Sequence, residues 1–341
     1  MSFTLGFVGV LILLLFQAID FHPIDIVRPY FTRPQVSTVQ KTIDTRLNQI
    51  KNNFKVKKPV HMVAQAHADS ELSQAAAYGG VDFESGEVLV SNNIDKRLPI
   101  ASVTKVMSAI VTLDLANPDE QVTITRKASR AIPTKIGVVT GEQMTFKELL
   151  TASLLTSAND ATQALADGID AKYGKGTFVA AMNEKAHVIG LKNSSFANPQ
   201  GFDNPENYST VEDLAILTHY ALVNYPIIGE IVAKDYDFLP ENSTHKQFDL
   251  YNWNGLLDVY PDTIGMKIGN TGDAGYTTVV VSSRGGNKII SVVLGAPVIA
   301  ERDLWASQVL DESYEKGYSL EPINVTREML SEKYSTWKYF N

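Results

Sequence analysis

The sequence contains no cysteine, which removes disulfides, thiolate nucleophiles and cysteine-ligated zinc from consideration. Histidine is sparse. His22, His61, His67, His187, His219 and His245 are scattered, and none forms the His-x-x-x-His pair that puts two metal ligands on one helix face. A zinc hydrolase therefore has little support, and neither metal nor cofactor is expected. The Gly-x-Ser-x-Gly elbow is missing too, which argues against a Ser-His-Asp hydrolase. Basic charge is in deficit: 30 Lys and Arg against 38 Asp and Glu give a formal net charge of −8. The cations are dispersed, so no nucleic-acid-binding face is expected. There is no internal repeat and no low-complexity tract. The glycine pair in "SRGGNK" lacks the strand-to-helix setting of a phosphate loop.

What is present suffices for a large globular body. The 341 residues are 44% hydrophobic and 20% charged, outside the range of a disordered chain. Residues 5–19, "LGFVGVLILLLFQAI", are uncharged and apolar, and the run extends to Phe3 with only Thr4 interrupting. That is near the short end of the roughly 17–25 residues that cross a bilayer. A cleaved signal would carry Lys or Arg before the run and small residues at a cut site, and neither is found. Residues 1–19 therefore read as an uncleaved membrane anchor or signal segment. Arg28, Arg33 and Lys41 follow the run with nothing basic before it, which runs against the positive-inside tendency for an exported domain.

Residues 20–70 read as a linker, marked by Pro23, Pro29 and Pro34, with an amphipathic helix over 36–54. Val36, Val39, Ile43, Leu47, Ile50 and Phe54 recur at three- and four-residue steps. Such a narrow stripe suits either a short coiled-coil stalk, which would give a weak homodimer, or a helix packed on its own domain. Hairpins are expected about Glu84-Ser85-Gly86 and Gly285-Gly286, with helices over 102–115, 145–155, 160–166, 177–189, 211–223 and 300–314. Strands at both ends with helices between them predict an α+β domain over 71–318 whose terminal strands share one sheet. Residues 319–341 form a C-terminal tail.

Three short motifs could carry chemistry. In "PIASVTKVMSAI", Ser102 and Lys105 are three residues apart at the head of a helix and so share a face. A lysine amine can take the serine proton only when neutral, which requires burial or a neighbouring cation. Ser-x-x-Lys alone is weak, recurring at Ser243/Lys246, Ser313/Lys316 and Ser335/Lys338 without an apolar setting. Ser157-Ala158-Asn159 sits at a break between two apolar helical segments. Lys267-Ile268-Gly269 lies on a strand before "AGYTTVVV".

In this order and these surroundings, the motifs resemble those of the penicillin-recognising serine hydrolases, and more narrowly the D-alanyl-D-alanine carboxypeptidases of low molecular mass. The likeness runs from about residue 75 to residue 317 and includes "IASVTKVM", "LLTSANDAT", "NWNGLL" and "VVLGA". It implies an antiparallel sheet flanked by helices plus a helical subdomain, with the site between them. It also implies roles. Ser102 would attack the bond between the last two D-alanines of a peptidoglycan stem peptide, and Lys105 would accept its proton. Ser157 would help pass a proton to the leaving amine, and Asn159 would hold Lys105 and the substrate amide. Lys267 would keep a neutral amine accessible. Gly269, Asn270 and Thr271 would line the substrate, with the oxyanion between the N–H groups of Ser102 and Asn270. Arg302 is the position that best fits the family's carboxylate-binding arginine; its other reading is a helix-surface arginine paired with Glu301 or Asp303. β-Lactams would acylate the same serine, and the cell envelope, at the outer face of the cytoplasmic membrane, would be the address.

Two departures stand out. No Glu-x-x-Leu-Asn element follows Ser-x-Asn, since Glu184 continues as Lys-Ala-His, so a class A β-lactamase is a poor reading. Where the family has Thr or Ser between Lys267 and Gly269, this chain has Ile268, which removes one hydroxyl from the expected carboxylate site. That leaves three outcomes in view: an attenuated carboxypeptidase, a DD-endopeptidase acting on cross-links, or a non-catalytic peptidoglycan-binding homologue.

Overall fold

The computed structural model describes residues 38–58 and 71–338. The expected membrane segment, 1–19, lies outside the described residues. The chain divides into two compact units, Met1–Gln40 and Lys41–Asn341, and only the start of one helix in the first is described.

In chain order the elements are α1 (Thr38–Leu47), β1 (Ala77–Asp82), β2 (Val88–Asn92), a 3-10 turn (Ala101–Thr104) and α2 (Lys105–Leu115). Then come β3 (Gln121–Thr123), α3 (Arg126–Ser129), β4 (Gln143–Thr145), α4 (Phe146–Leu154), α5 (Asn159–Tyr173), α6 (Thr177–Ile189), α7 (Val211–Asn224) and α8 (Pro226–Val232). The chain closes with β5 (Tyr236–Leu239), β6 (Phe248–Tyr251), β7 (Thr263–Thr271), β8 (Gly275–Arg284), β9 (Asn287–Ala296), α9 (Ile299–Tyr318) and α10 (Arg327–Ser335).

Five strands form one antiparallel sheet in the order β2-β1-β9-β8-β7, so the first hairpin and the last meet where Ala77 faces Leu294. This is the expected α+β architecture. The strands read as near-continuous apolar runs because both faces are covered. Successive side chains point to opposite faces: Val279 and Val281 enter one core with the helices α2 and α4–α7, while Val280 enters another with Trp305, Leu310 and Tyr314 of α9. Local signals agree with the packing. Thr145 and Glu148 form a reciprocal capping box that starts α4, and Thr210 caps α7 by accepting from Asp213 N.

Four residues of the amphipathic stripe are used within the domain. Ile43 and Leu47 are buried in the first core, with Ile50 and Phe54 packed against it. α1 also stops at Leu47 rather than running to 54, and its last carbonyl accepts from a buried lysine, Lys185 Nζ, at 2.8 Å. That lysine is itself paired with Asp114 at 2.8 Å. Of the stripe over 36–54 expected to serve a homodimer, Ile43, Leu47, Ile50 and Phe54 are taken up by the domain's own core, Val39 is exposed, and Val36 lies outside the described residues. Beyond residue 318, the stretch taken as a tail carries α10, and Leu330 and Trp337 are buried.

Candidate active site

The site lies where three parts of the fold converge: the 3-10 turn before α2, the break between α4 and α5, and the edge strand β7. Ser102 sits in the turn and Lys105 opens α2. Side chains three residues apart eclipse in a 3-10 turn, and Lys105 Nζ stands 2.6 Å from Ser102 Oγ. The turn is entered through Ala101 at φ +48°, a left-handed conformation that costs a non-glycine residue roughly 1–2 kcal/mol. Ala101 is held there by close neighbours. Gly201, at φ +87°, lies so near that a Cβ on it would fall 1.9 Å from the Ala101 carbonyl oxygen.

Lys105 is completely buried. Besides Ser102, its ammonium nitrogen meets Asn159 Oδ1 at 2.9 Å and the Gln200 carbonyl at 3.0 Å. Its pKa falls well below the usual lysine range, first through burial and then through the nearby charge of Lys267, with Asp160 opposing. Lys267 is buried as well; burial and the Arg302 guanidinium bring it down to about 7. A serine hydroxyl thus faces an amine that is held toward its neutral, proton-accepting form.

Asn159 is the first residue of α5. Besides bonding Lys105, it donates through Nδ2 to the Ile132 carbonyl at 3.1 Å, and its N–H donates to the Thr134 carbonyl at 2.7 Å. The next residue, Asp160, is fully buried and accepts from the N–H groups of Ile136, Gly137 and Val138 at 3.1, 2.7 and 3.1 Å. Together these bonds fasten loop 132–138 against the head of α5. Ser157, two residues before Asn159, is held at φ +59°. Its side chain lines the same cleft, and no hydrogen bond joins it to Ser102, Lys105 or Lys267 among the described residues.

Strand β7 closes the site from the other side. A Cβ on Gly269 would lie 2.7 Å from Ser102 N and 2.9 Å from Ala101 Cβ, so only glycine lets the strand pass this close to the serine. Ser102, Ser157, Ile268, Gly269, Asn270 and Arg302 line one cleft of about 550 Å³, together with Pro133, Thr134, Trp253, Tyr276 and Ile299. Arg302 is buried. Its Nε and Nη2 each donate to Asp303 at 2.7 Å, and Nη2 also reaches the Trp253 carbonyl at 3.0 Å. Arg302 is thus no helix-surface residue: it is buried, pairs with Asp303 rather than Glu301, and lines the cleft. Thr271 is not brought to the cleft lining. It lies at the turn into β8, where its hydroxyl accepts from Ala274 N at 3.2 Å.

The sequence reading missed the Gln200 carbonyl, Asp160 and Trp253. A main-chain acceptor leaves no side-chain signature, though the Asn198-Pro199-Gln200-Gly201 turn around it was legible. Among the described residues no cluster of His, Asp and Glu could hold a metal ion.

A family profile described as D-alanyl-D-alanine carboxypeptidase matches residues 62–298. D-alanyl-D-alanine carboxypeptidase DacF of Bacillus subtilis is 34% identical over 248 residues, covering 71% of this chain and 62% of that protein. The chain thus spans less than two thirds of that relative's length. Among solved structures, D-alanyl-D-alanine carboxypeptidase DacD from Francisella tularensis aligns with a TM-score of 0.65 at 26% identity, over 75% of this chain and 73% of that one. Penicillin-binding protein D2 of Listeria monocytogenes, in its ampicillin-bound form, gives a TM-score of 0.64 at 28% identity, over 73% and 100%.

Proposed function

The chain belongs to the D-alanyl-D-alanine carboxypeptidase family, and from that premise we propose that it is a serine-type DD-carboxypeptidase that removes the terminal D-alanine from peptidoglycan stem peptides. The observation that carries this reading is the fully buried Lys105 amine, 2.6 Å from the Ser102 hydroxyl and held toward neutrality. Lys105 takes the proton from Ser102 Oγ as that oxygen attacks the carbonyl carbon of the penultimate D-alanine. The negative charge that develops on the carbonyl oxygen is met by the N–H groups of Ser102 and Asn270, fixed donors that need no reorganisation. The C–N bond then breaks. The leaving amine takes the proton that Lys105 had accepted, relayed through Ser157, and free D-alanine departs. Water attacks the acyl-enzyme, Lys105 accepts its proton and passes it to Ser102 Oγ as the ester bond breaks, and the shortened peptide leaves with Ser102 restored.

Asn159 keeps Lys105 in place, and Lys267 supplies the neighbouring positive charge that disfavours protonation of Lys105. Arg302 receives the substrate's terminal carboxylate. β-Lactams, which present a reactive amide and a carboxylate in similar places, acylate the same serine. This reading puts the protein in the bacterial cell envelope, with residues 1–19 as the attachment to the membrane.

Ile268 favours a second reading. It occupies the cleft where a hydroxyl would otherwise meet the terminal carboxylate, so a cross-linked peptide without that carboxylate is handicapped less, and a DD-endopeptidase would be the result. A fluorescent penicillin should label the wild type and leave Ser102→Ala unlabelled; absence of label at high probe concentration would instead favour a non-catalytic wall-binding protein. Release of free D-alanine from a pentapeptide, set against cleavage of a cross-linked dimer, separates the two enzymes.

A further inference from the structure

Arg302 does not hold its position alone. Its neighbour Asp303 is completely enclosed, and its two carboxylate oxygens take the Nε and Nη2 hydrogens of Arg302. A third donor reaches the same carboxylate from the end of the chain: the Tyr334 hydroxyl, in α10, donates to Asp303 Oδ2 at 2.8 Å. The three groups are tightly enclosed. A Cβ on Gly255 would stand 2.2 Å from Asp303 Oδ2 and 2.7 Å from Tyr334 Cε1. Trp337 packs 4.8 Å from the Tyr334 ring and meets Trp253 edge-on at 5.4 Å, and the Trp253 carbonyl is the remaining acceptor for Arg302 Nη2.

A guanidinium is a rigid plane, so fixing Nε and Nη2 also fixes where the third nitrogen points. Nη1 has no hydrogen bond among the described residues, and its side chain lines the cleft. A carboxylate that shares its charge with a phenol also competes less with an incoming carboxylate for the arginine.

We propose that Tyr334 is a positioning residue for substrate selectivity: through Asp303, helix α10 holds Arg302 with Nη1 toward the cleft, where it recognises a terminal carboxylate. This rests on the reading of Arg302 given above. It assigns the C-terminal helix a part in choosing the substrate, although α10 contributes no atom to the cleft lining.

The test compares a peptide ending in D-Ala-D-Ala with the same peptide ending in the carboxamide, for wild type, Tyr334→Phe and Lys333→Ala. The phenylalanine keeps the ring packing and deletes only the donor. Lys333, which ties α10 to Asp235 and Asp258 at 2.7 and 3.1 Å, serves as the stability control. In Tyr334→Phe, KM for the carboxylate peptide should rise about three- to tenfold with kcat nearly unchanged, and the preference for carboxylate over amide should fall by the same factor. Lys333→Ala should lower the melting temperature and leave the preference where it was. The proposal is overturned if Tyr334→Phe slows both peptides equally or neither, or if Lys333→Ala shifts the preference as much. A wild type that acylates with penicillin yet cleaves both peptides equally would remove the assigned role of Arg302, and this proposal with it. A wild type that never acylates would instead remove the catalytic reading itself.

Discussion

Replacing Ile268 with threonine should make the protein a faster enzyme. Ile268 stands on edge strand β7 opposite Thr278 and lines the cleft beside Gly269, Asn270 and Arg302. Threonine is also β-branched, so the strand conformation survives, and the exchange puts a hydroxyl where the substrate's terminal carboxylate is expected. A hydrogen bond to a charged group contributes about 1.5–3 kcal/mol, equivalent to roughly 10- to 150-fold in kcat/KM. Against this stands a loss of packing. Ile268 is only 9% exposed, and trimming a largely buried aliphatic chain typically costs about 1 kcal/mol of stability. That cost lowers the melting temperature but not the turnover of molecules that remain folded, since a domain has about 5–15 kcal/mol in hand. The measurements are the second-order rate of acylation by a fluorescent penicillin and the release of D-alanine from a pentapeptide. Both should rise, and a carboxamide-ended peptide should gain little. If neither rate moves, or if the amide gains as much as the acid, the hydroxyl does not act on the carboxylate and the reasoning fails.

Four further outcomes follow from the geometry. Lys267→Gln removes a cation that helps hold Lys105 neutral, so the acid limb of the acylation profile should move to higher pH. Asp160→Asn removes a charge of the opposite effect and should move that limb to lower pH, so a common direction in both variants would refute the electrostatic account. Because Lys267 binds its proton less tightly folded, at about 7, than unfolded, at about 10.5, its contribution makes stability rise with pH between those values and stay flat below; urea midpoints measured against pH should lose that component in Lys267→Gln. Gly269→Ala should cut acylation by more than about a hundredfold, because the added methyl would sit 2.7 Å from Ser102 N and would push the strand off the serine; a well-folded variant at near-normal rate would contradict the close approach. Leu47→Ala should destabilise the protein by about 2–5 kcal/mol in chemical denaturation, whereas a negligible change would mean that α1 is not part of the core.

The sheet and most of the helices could be read from the sequence because their signals are local. The apolar runs in "YTTVVVSS" and "KIISVVLGA" carry the strand signal directly, and the expected 177–189 and 211–223 helices appear as α6 and α7 almost unchanged. Ser102, Lys105, Ser157, Asn159 and Lys267 were legible as motifs whose order and surroundings mattered more than any one match. What escaped notice was set by contacts between distant parts of the chain. α10 has a weak stripe, and its tie to the site runs through one distant contact, Tyr334 to Asp303. Nothing in the sequence around Asp160, an acid in the first turn of α5, marks the three N–H groups it gathers from a loop more than twenty residues upstream. Thr271 shared the strand motif but fell one residue past the cleft, into a turn.

The pairing of β1 with β9 has a consequence for how the protein is made. Ala77 has no permanent partner on that side until Leu294 has been synthesised, so the first hairpin must wait while almost the whole chain emerges. The helices between them make local contacts and can form early, whereas the sheet is a late, high-contact-order event of the kind that slows folding. Ser102 and Lys267 come from opposite ends of that interval, so no amino-terminal fragment that stops before β7 can assemble the pair. A chain interrupted there would bury its helices and still leave a sheet edge open to other chains. Chemistry and protection from aggregation thus arrive in the same final step.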